Sequence, residues 1–344
     1  MLQERVSRPS FAGEEATRSL ASARTFYSPA HREEQERTSC PLCDATAERL
    51  VFEAVDTMFS RPGSYRLVEC ERCSMRYVNP RPTPAALALH YPADYLCYTN
   101  FDDDHWLLRW AFRRLQRGQA RRRMRQIESA SGRLAPGTRV LDVGCGRAEL
   151  LARLISERQC HGTGIDLNGH VLDIVGHELD IETVQGTLTD ARFPSGNFDL
   201  VTMTEYLEHE PRPRRVIDEA WRVLKPGGLI AIEVPDISGP PARWFRDRWW
   251  QVDAPRHLTF FSPKTLTSML EECGFEVLRV RRHGLLTSMG YSLLQAMGFY
   301  YFDSNKVLYL TLSALLGIPF APFLPIMPDF MMIVARARRP TVGV

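Results

Sequence analysis

An excess of charge of either sign is what this sequence lacks most. Its 344 residues carry 43 Lys and Arg against 41 Asp and Glu, a formal net charge of +2, so the total predicts neither a nucleic-acid nor a membrane partner. Eight cysteines are too few for a disulfide scaffold at this length, and their spacing carries more than their number. With 22 Gly and 23 Pro, a collagen-like or wholly disordered chain is excluded. Residues 1–38 scatter Arg and Glu without the apolar core of a secretory signal. They are expected to form a disordered leader, in a cytoplasmic and reducing setting where paired cysteines more often mean metal than disulfide.

What the sequence does have is segregated along the chain. Cys40-Pro-Leu-Cys43 and Cys70-Glu-Arg-Cys73 are two C-x-x-C knuckles. Two such knuckles complete a tetrahedral S4 site that suits Zn, and four protein ligands leave no open position, so the ion is expected to be structural. Leu50-Val-Phe52 and Tyr65-Arg-Leu-Val68 alternate as short strands around an Arg61-Pro-Gly63 turn. Residues 39–79 therefore read as a zinc ribbon, with four unrelated thiols as the alternative. Cys97, Cys145, Cys160 and Cys273 are expected to be core thiols.

Residues 80–134 read as a linker and a helix. Asn79-Pro-Arg-Pro-Thr-Pro84 breaks regular structure, and Tyr91, Tyr95 and Tyr98 follow, to line a substrate mouth or pack on the next domain. From Trp106 to Arg125 the helix carries Arg109, Arg113, Arg114, Arg117, Arg121, Arg122, Arg123 and Arg125 with no acid among them. Trp106, Leu107, Trp110 and Leu115 are the expected apolar face. Such a helix suggests an anionic membrane surface or a nucleic acid, or else a solvated domain bridge.

Residues 138–336 repeat strand, loop and helix, the rhythm of a mostly parallel α/β sheet. Thr138–Val143 runs into Gly144-Cys-Gly146; His161–Asp166 ends in a carboxylate placed to hold a ribose diol. Phe198–Thr202 and Leu229–Val234 are two further strands, and Ser262-Pro263 opens a helix that Gly274 ends. A dinucleotide fingerprint needs a third Gly at position 149, where Glu149 stands, so a methionine-type cofactor fits better than NAD.

The motifs Val140-Leu-Asp-Val-Gly-Cys-Gly146, Gly164-Ile-Asp166, Phe198-Asp-Leu-Val201, Leu207-Glu-His209 and Arg222-Val-Leu-Lys-Pro-Gly-Gly228 resemble, in order and spacing, the class I S-adenosylmethionine-dependent methyltransferases. The resemblance covers nearly all of 138–336 and implies a Rossmann-like seven-stranded sheet, here behind a small N-terminal zinc ribbon, within a domain spanning 135–344. Asp253-Ala-Pro-Arg-His-Leu258 with Phe261-Ser262, together with Tyr65–Cys70 and Asn79-Pro-Arg81, resembles a bacterial group with an N-terminal cysteine-ligated zinc module, some of them sugar C-methyltransferases. Carried over, the resemblance places the cofactor's methionine part against Asp142, Gly144 and Gly146 and its ribose on Asp166. Leu188 and Asp190 become adenine-side neighbours. Ala148 and Thr187 depart from the family pattern, which often has Gly and Asp there.

Methyl transfer needs an aligned nucleophile and often a base. Thr204-Glu-Tyr-Leu-Glu-His209 lies at the carboxyl edge of the fourth strand. His209, titrating near neutrality, is the expected general base, with Glu208 orienting it and Tyr206 touching substrate; the alternative is a structural His at a strand end. Glu205-x-x-Glu208-His209 also resembles the divalent-metal pattern of quinone-pathway O-methyltransferases, with Mg²⁺ as the second cofactor after S-adenosylmethionine and structural Zn. Arg256 and His257, near Trp244, Trp249 and Trp250, are expected to bind an anionic or sugar substrate.

After Glu276–Val280 the chain inserts an apolar stretch, 285–328, before the last strand Met331–Ala335. Pro319, Pro322, Pro325 and Pro328 forbid a regular spanning helix through it. An interfacial segment anchored by the Arg-rich helix is expected, at the inner face of a membrane, with a lid or a dimer contact as alternatives. The function expected is methyl transfer to a small molecule: a sugar or glycolipid precursor first, a quinone or phenolic lipid second, RNA third. No Asn-Pro-Pro-Tyr signature follows the fourth strand, which disfavours nucleic acid.

Overall fold

The computed structural model describes residues 34–59, 61–91, 106–301 and 306–338, apart from the side chains of 106–109, 111–112 and 306–307. Most of the expected leader (1–33), Tyr95, Cys97 and Tyr98, and the side chains of Trp106, Leu107 and Arg109, lie outside this description. The end of the expected leader is ordered: Gln35–Glu36 pairs antiparallel with Arg81–Pro82, and Arg81 Nε donates to Glu36 at 2.8 Å.

The large sheet has seven strands: β1 (Arg139–Val143), β2 (His161–Asp166), β3 (Glu182–Gln185), β4 (Phe198–Thr204), β5 (Leu224–Pro235), β6 (Phe275–His283) and β7 (Phe330–Ala337). Their order is β6-β7-β5-β4-β1-β2-β3. β7 runs antiparallel to both neighbours, and the ladders joining β5, β4, β1, β2 and β3 are all parallel. Chain order reverses at β1, which lies between β4 and β2, and ligands bind open α/β sheets at the carboxyl ends beside such a reversal.

Helices cover the faces because their apolar residues recur at helical spacing. The helix α1 (Trp106–Ser131) precedes β1, α2 (Glu149–Arg158) buries Leu150, Leu151 and Leu154, and α3 (Gly169–Leu179) buries Val171, Leu172 and Val175. Next, α4 (Pro213–Val223) buries Val216, Ile217, Ala220 and Val223. The helix α5 (Pro263–Glu272) starts with a reciprocal cap: Thr265 N donates to Ser262 Oγ at 3.2 Å and Ser262 N to Thr265 Oγ1 at 2.9 Å. Gly274, at φ +86°, ends it in the left-handed region as its sequence position predicts.

The face of α1 differs from the expectation. Ala120, Met124 and Ile127 are buried, whereas Trp110 and Leu115 are exposed. The helix seats its second half on the sheet, so the buried stripe lies there, and Arg122 and Arg123 point inward with it.

Glu48–Ala54, Tyr65–Cys70 and Arg76–Val78 form an antiparallel ribbon, but Thr259–Phe260 adds a fourth strand. The 39–79 module is thus not self-contained: Val68, Met75 and Tyr77 share one apolar core with Phe261 and Leu266.

The apolar insertion folds as a hairpin of α6 (Leu286–Ala296) and α7 (Lys306–Gly317), then a 3-10 turn at Ile318–Phe323. A Cβ at Gly290 would collide with the Ser313 carbonyl, and one at Gly317 with that of Leu286; glycine at both ends lets the helices touch. Among the described residues no helix is long and apolar enough to cross a membrane.

Candidate active site

The glycine loop after β1 and the carboxylate ending β2 form the first half of the site. Gly144 and Gly146 sit at φ +67° and +48°, a region that disfavours any Cβ. Gly146 faces open space, while a Cβ on Gly144 would run into the ring of Tyr206. Asp166 is fixed at the strand end, its oxygens accepting from Gly146 N and Asn168 N, both at 2.9 Å. This cradle suits the amino-acid and ribose parts of S-adenosylmethionine. Asp142 is buried and accepts from Thr202 Oγ1 at 2.6 Å; burial, which outweighs that bond, pushes it up to about 6. Ala148 is itself left-handed, at φ +54°, which explains why glycine is frequent there in the resembling family. Leu188 is wholly buried in the core. Asp190 accepts from Thr187 Oγ1 at 2.6 Å.

The second half follows β4. Tyr206 lays its ring over Gly144 and donates its hydroxyl to Glu210; burial, then Glu210, raises its pKa. One 3-10 turn later come Glu208 and His209. Leu258 N donates to the Glu208 carbonyl at 2.8 Å, which stitches the segment after β5 onto this turn. The imidazoles of His209 and His257 thereby meet, centroids 4.5 Å apart. His209 Nδ1 lies 3.1 Å from the Arg256 carbonyl and 2.9 Å from the Tyr91 hydroxyl. His257 Nδ1 lies 2.8 Å from the Gln251 carbonyl.

Several expectations are corrected here. His209 does not titrate near neutrality: burial, then the neighbouring His257, lowers it to about 3. Burial lowers His257 as well. Glu208 does not orient His209, since neither of its carboxylate oxygens has a partner among the described residues; the Arg256 carbonyl and Tyr91 do so instead. Burial raises Glu208 well above the usual carboxylate range. Arg256 is not free for an anionic substrate. Its guanidinium is wholly buried and bonds Asp56 at 2.8 and 3.0 Å and Asp253 at 2.6 and 2.9 Å.

The Glu205–Glu208–His209 metal pattern does not assemble either. Glu205 is exposed and pairs with Arg123. Glu208, His209 and His257 converge instead, a ligating atom of each within 4.8 Å of the others. Sequence reasoning also missed Glu233, buried at the end of β5. Arg123 Nε reaches it at 2.7 Å and Arg122 Nη2 at 3.0 Å. Burial alone would raise Glu233, but the Arg123 and Arg122 charges outweigh it and hold it at about 2. The acid-free run on α1 was the available signal: two of its arginines serve the core.

In the ribbon, Cys40 Sγ lies 3.4 Å from Cys73 Sγ and Cys43 Sγ 3.6 Å from Cys70 Sγ. Tetrahedral Zn–S bonds of about 2.3 Å set sulfurs about 3.8 Å apart, so the four thiols fit a structural ion. Cys145, Cys160 and Cys273 are buried, as expected of core thiols.

Residues 107–280 match the family described as a methyltransferase domain, half of the chain. The chain belongs to that family. With its seven-stranded sheet it is a class I S-adenosylmethionine-dependent methyltransferase. Curated relatives include a ubiquinone/menaquinone biosynthesis C-methyltransferase of Rhizobium johnstonii, 32% identical over 36% of this chain and 52% of that protein. A demethylmenaquinone methyltransferase of Listeria monocytogenes is 28% identical over 44% of this chain and 75% of that protein. The methyltransferase spans about half the length of the first of these. Among solved structures, a Haemonchus contortus phosphoethanolamine N-methyltransferase complex aligns at TM-score 0.49 and 16% identity, over 64% of this chain and 53% of that one.

Proposed function

We propose that this methyltransferase methylates a small, lipid-borne acceptor of quinone or phenol type, with acid–base work at the Glu208–His209–His257 cluster. One observation supports this reading: Tyr206 covers Gly144 of the glycine loop, and its own carbonyl accepts from His209 N at 3.1 Å, so the turn that carries His209 begins beside that loop. When bound, S-adenosylmethionine supplies an electrophilic methyl on a sulfonium. The chain's part is to hold the acceptor in line and take its proton. The Arg256 carbonyl can only accept, and Tyr91 gives its hydroxyl hydrogen to that same carbonyl at 3.4 Å, so the hydrogen of His209 sits on Nδ1 and the Nε2 lone pair is left as the candidate base. A deprotonated phenol is a better nucleophile at its oxygen and at its ring carbons alike.

The apolar hairpin supports a lipid-borne acceptor. Leu308, Leu312, Leu315, Ile318, Phe323 and Ile326 are exposed on it, a run of apolar surface of the kind that marks an interaction site. Its α6 packs on the segment that carries His257: Trp250 N donates to Ser292 Oγ at 3.0 Å. Pro240–Phe245, which also packs against α6, presents exposed Trp244 and Arg243, residue types suited to an anionic membrane interface. The quinone relatives named above favour this headgroup over the sugar or glycolipid first expected. Zn in the ribbon is part of the same proposal, as a structural ion.

The test supplies methyl-labelled S-adenosylmethionine and the purified chain to a membrane extract and separates lipid, aqueous and RNA fractions. Label in an organic-soluble lipid is expected. Label confined to RNA or to water-soluble sugars would overturn the acceptor class.

A further inference from the structure

At the Glu208–His209–His257 cluster, acceptors converge without a donor. Each imidazole has its Nδ1 beside a backbone carbonyl, Arg256 at 3.1 Å and Gln251 at 2.8 Å. A carbonyl cannot donate, and the Tyr91 hydroxyl, 2.9 Å from His209 Nδ1, gives its own hydrogen to the Arg256 carbonyl at 3.4 Å, so both imidazole hydrogens sit on Nδ1 and both Nε2 atoms carry lone pairs. Both buried Glu208 oxygens lack a hydrogen-bond partner among the described residues, and a ligating atom of each of the three side chains lies within 4.8 Å of the others. Asp253 lies 4.0 Å from His257 Nε2 and is already engaged by Arg256. Imidazoles that hand their far N–H to a carbonyl are the usual outer arrangement of metal-ligating histidines, and a buried carboxylate without a donor needs a cation or a proton.

We infer that Glu208, His209 and His257 form a two-histidine, one-carboxylate site for a divalent first-row transition ion, separate from the four cysteines. Two nitrogen donors disfavour Mg²⁺, which prefers oxygen, and suit Zn²⁺ or Fe²⁺. Three protein ligands leave a position open, where a phenolic hydroxyl could bind as the phenolate, its proton passing to solvent water. This role rests on the methyl-transfer reading above; with the ion present, His209 holds it and does not itself take the proton. The site's existence does not depend on that reading.

The test strips the full chain of metal and titrates it with Co²⁺, counting bound ion by elemental analysis. Cysteine thiolates give an intense sulfur-to-cobalt charge-transfer band, whereas an imidazole–carboxylate site gives only weak ligand-field bands. The wild type is expected to take up an equivalent marked by those weak bands alone. His257→Ala and Glu208→Gln should lose it, with the charge-transfer band and circular dichroism unchanged. Uptake only at the thiolate site, or retention of the second equivalent by both variants, would overturn the inference and indicate a proton shared between Glu208 and an imidazole. Labelled methyl transfer by the same cobalt-titrated samples separates the two readings: transfer without the second equivalent keeps the methyltransferase chemistry and ends the ion's role in it, whereas the counted equivalent alone decides whether the site exists.

Discussion

The imidazoles of His209 and His257 meet edge to face at 79°, one from the turn after β4 and one from the segment after β5. Their meeting depends on backbone bonds that hold the two segments together, above all Leu258 N to the Glu208 carbonyl. Below the pair, the buried Arg256 ties the same segment to Asp56, next to the ribbon. The ribbon thus contributes to the site by bracing it.

That bracing predicts the effect of removing the cation. Arg256→Met removes the guanidinium that bonds buried Asp56 and Asp253, a change expected to cost about 3–5 kcal/mol. Urea unfolding should show the loss as a lower midpoint. A variant of unchanged stability and raised substrate KM would return Arg256 to the substrate-binding role first expected.

Gly144→Ala is expected to weaken S-adenosylmethionine binding by at least about tenfold, from a left-handed backbone penalty of roughly 1–2 kcal/mol added to the collision with Tyr206. Calorimetric titration measures it. Tyr206→Ala in the same chain should restore part of the affinity, because it removes the collision and leaves only the backbone strain.

Stability should fall on the acid side in a defined window. Burial, opposed by Glu233, lowers His283 from 6.5 to about 4. Between those values the unfolded chain binds a proton that folded His283 refuses, so stability is complete above about pH 6.5 and declines toward pH 4. Glu233, at about 2 against an ordinary 4.5, extends the decline in the same direction below pH 4.5. Thermal melts from pH 7.5 downward should show the slope, and His283→Asn should flatten its upper part.

Leu312→Glu with Leu315→Glu should reduce cosedimentation with phosphatidylglycerol-containing vesicles at least about tenfold while leaving the melting curve unchanged, since both residues are exposed. Equal binding by wild type and variant would remove the hairpin as the docking face.

The sheet and its helices were legible because their signals are local: apolar spacing in α2 and α4, the Ser262 cap, the glycines after β1. The left-handed turn at Gly144 and Gly146 and the position of Asp166 at the end of β2 followed from the same local motifs. What was not legible depends on pairing across the chain. Arg256 reads as a free phosphate ligand until Asp56 is seen beside it, and the arginines of α1 read as a solvated stripe until Glu233 is found beneath two of them. The standing of His209 changed for the same reason. Its type suggested titration near neutrality, but burial against a second histidine contributed from a distant segment holds it neutral. Thr259–Phe260, too short to announce itself as a strand, became part of the ribbon only through its partner Arg76–Val78.

The central claim is that methyl transfer is carried out at the Glu208–His209–His257 cluster beside a separate cofactor cradle. The most direct measurement is single-turnover transfer of labelled methyl by His209→Ala and His257→Ala, with S-adenosylmethionine affinity determined on the same samples. Unchanged affinity with transfer lowered about 10²–10⁴-fold is predicted; transfer at the wild-type rate by both variants would contradict it.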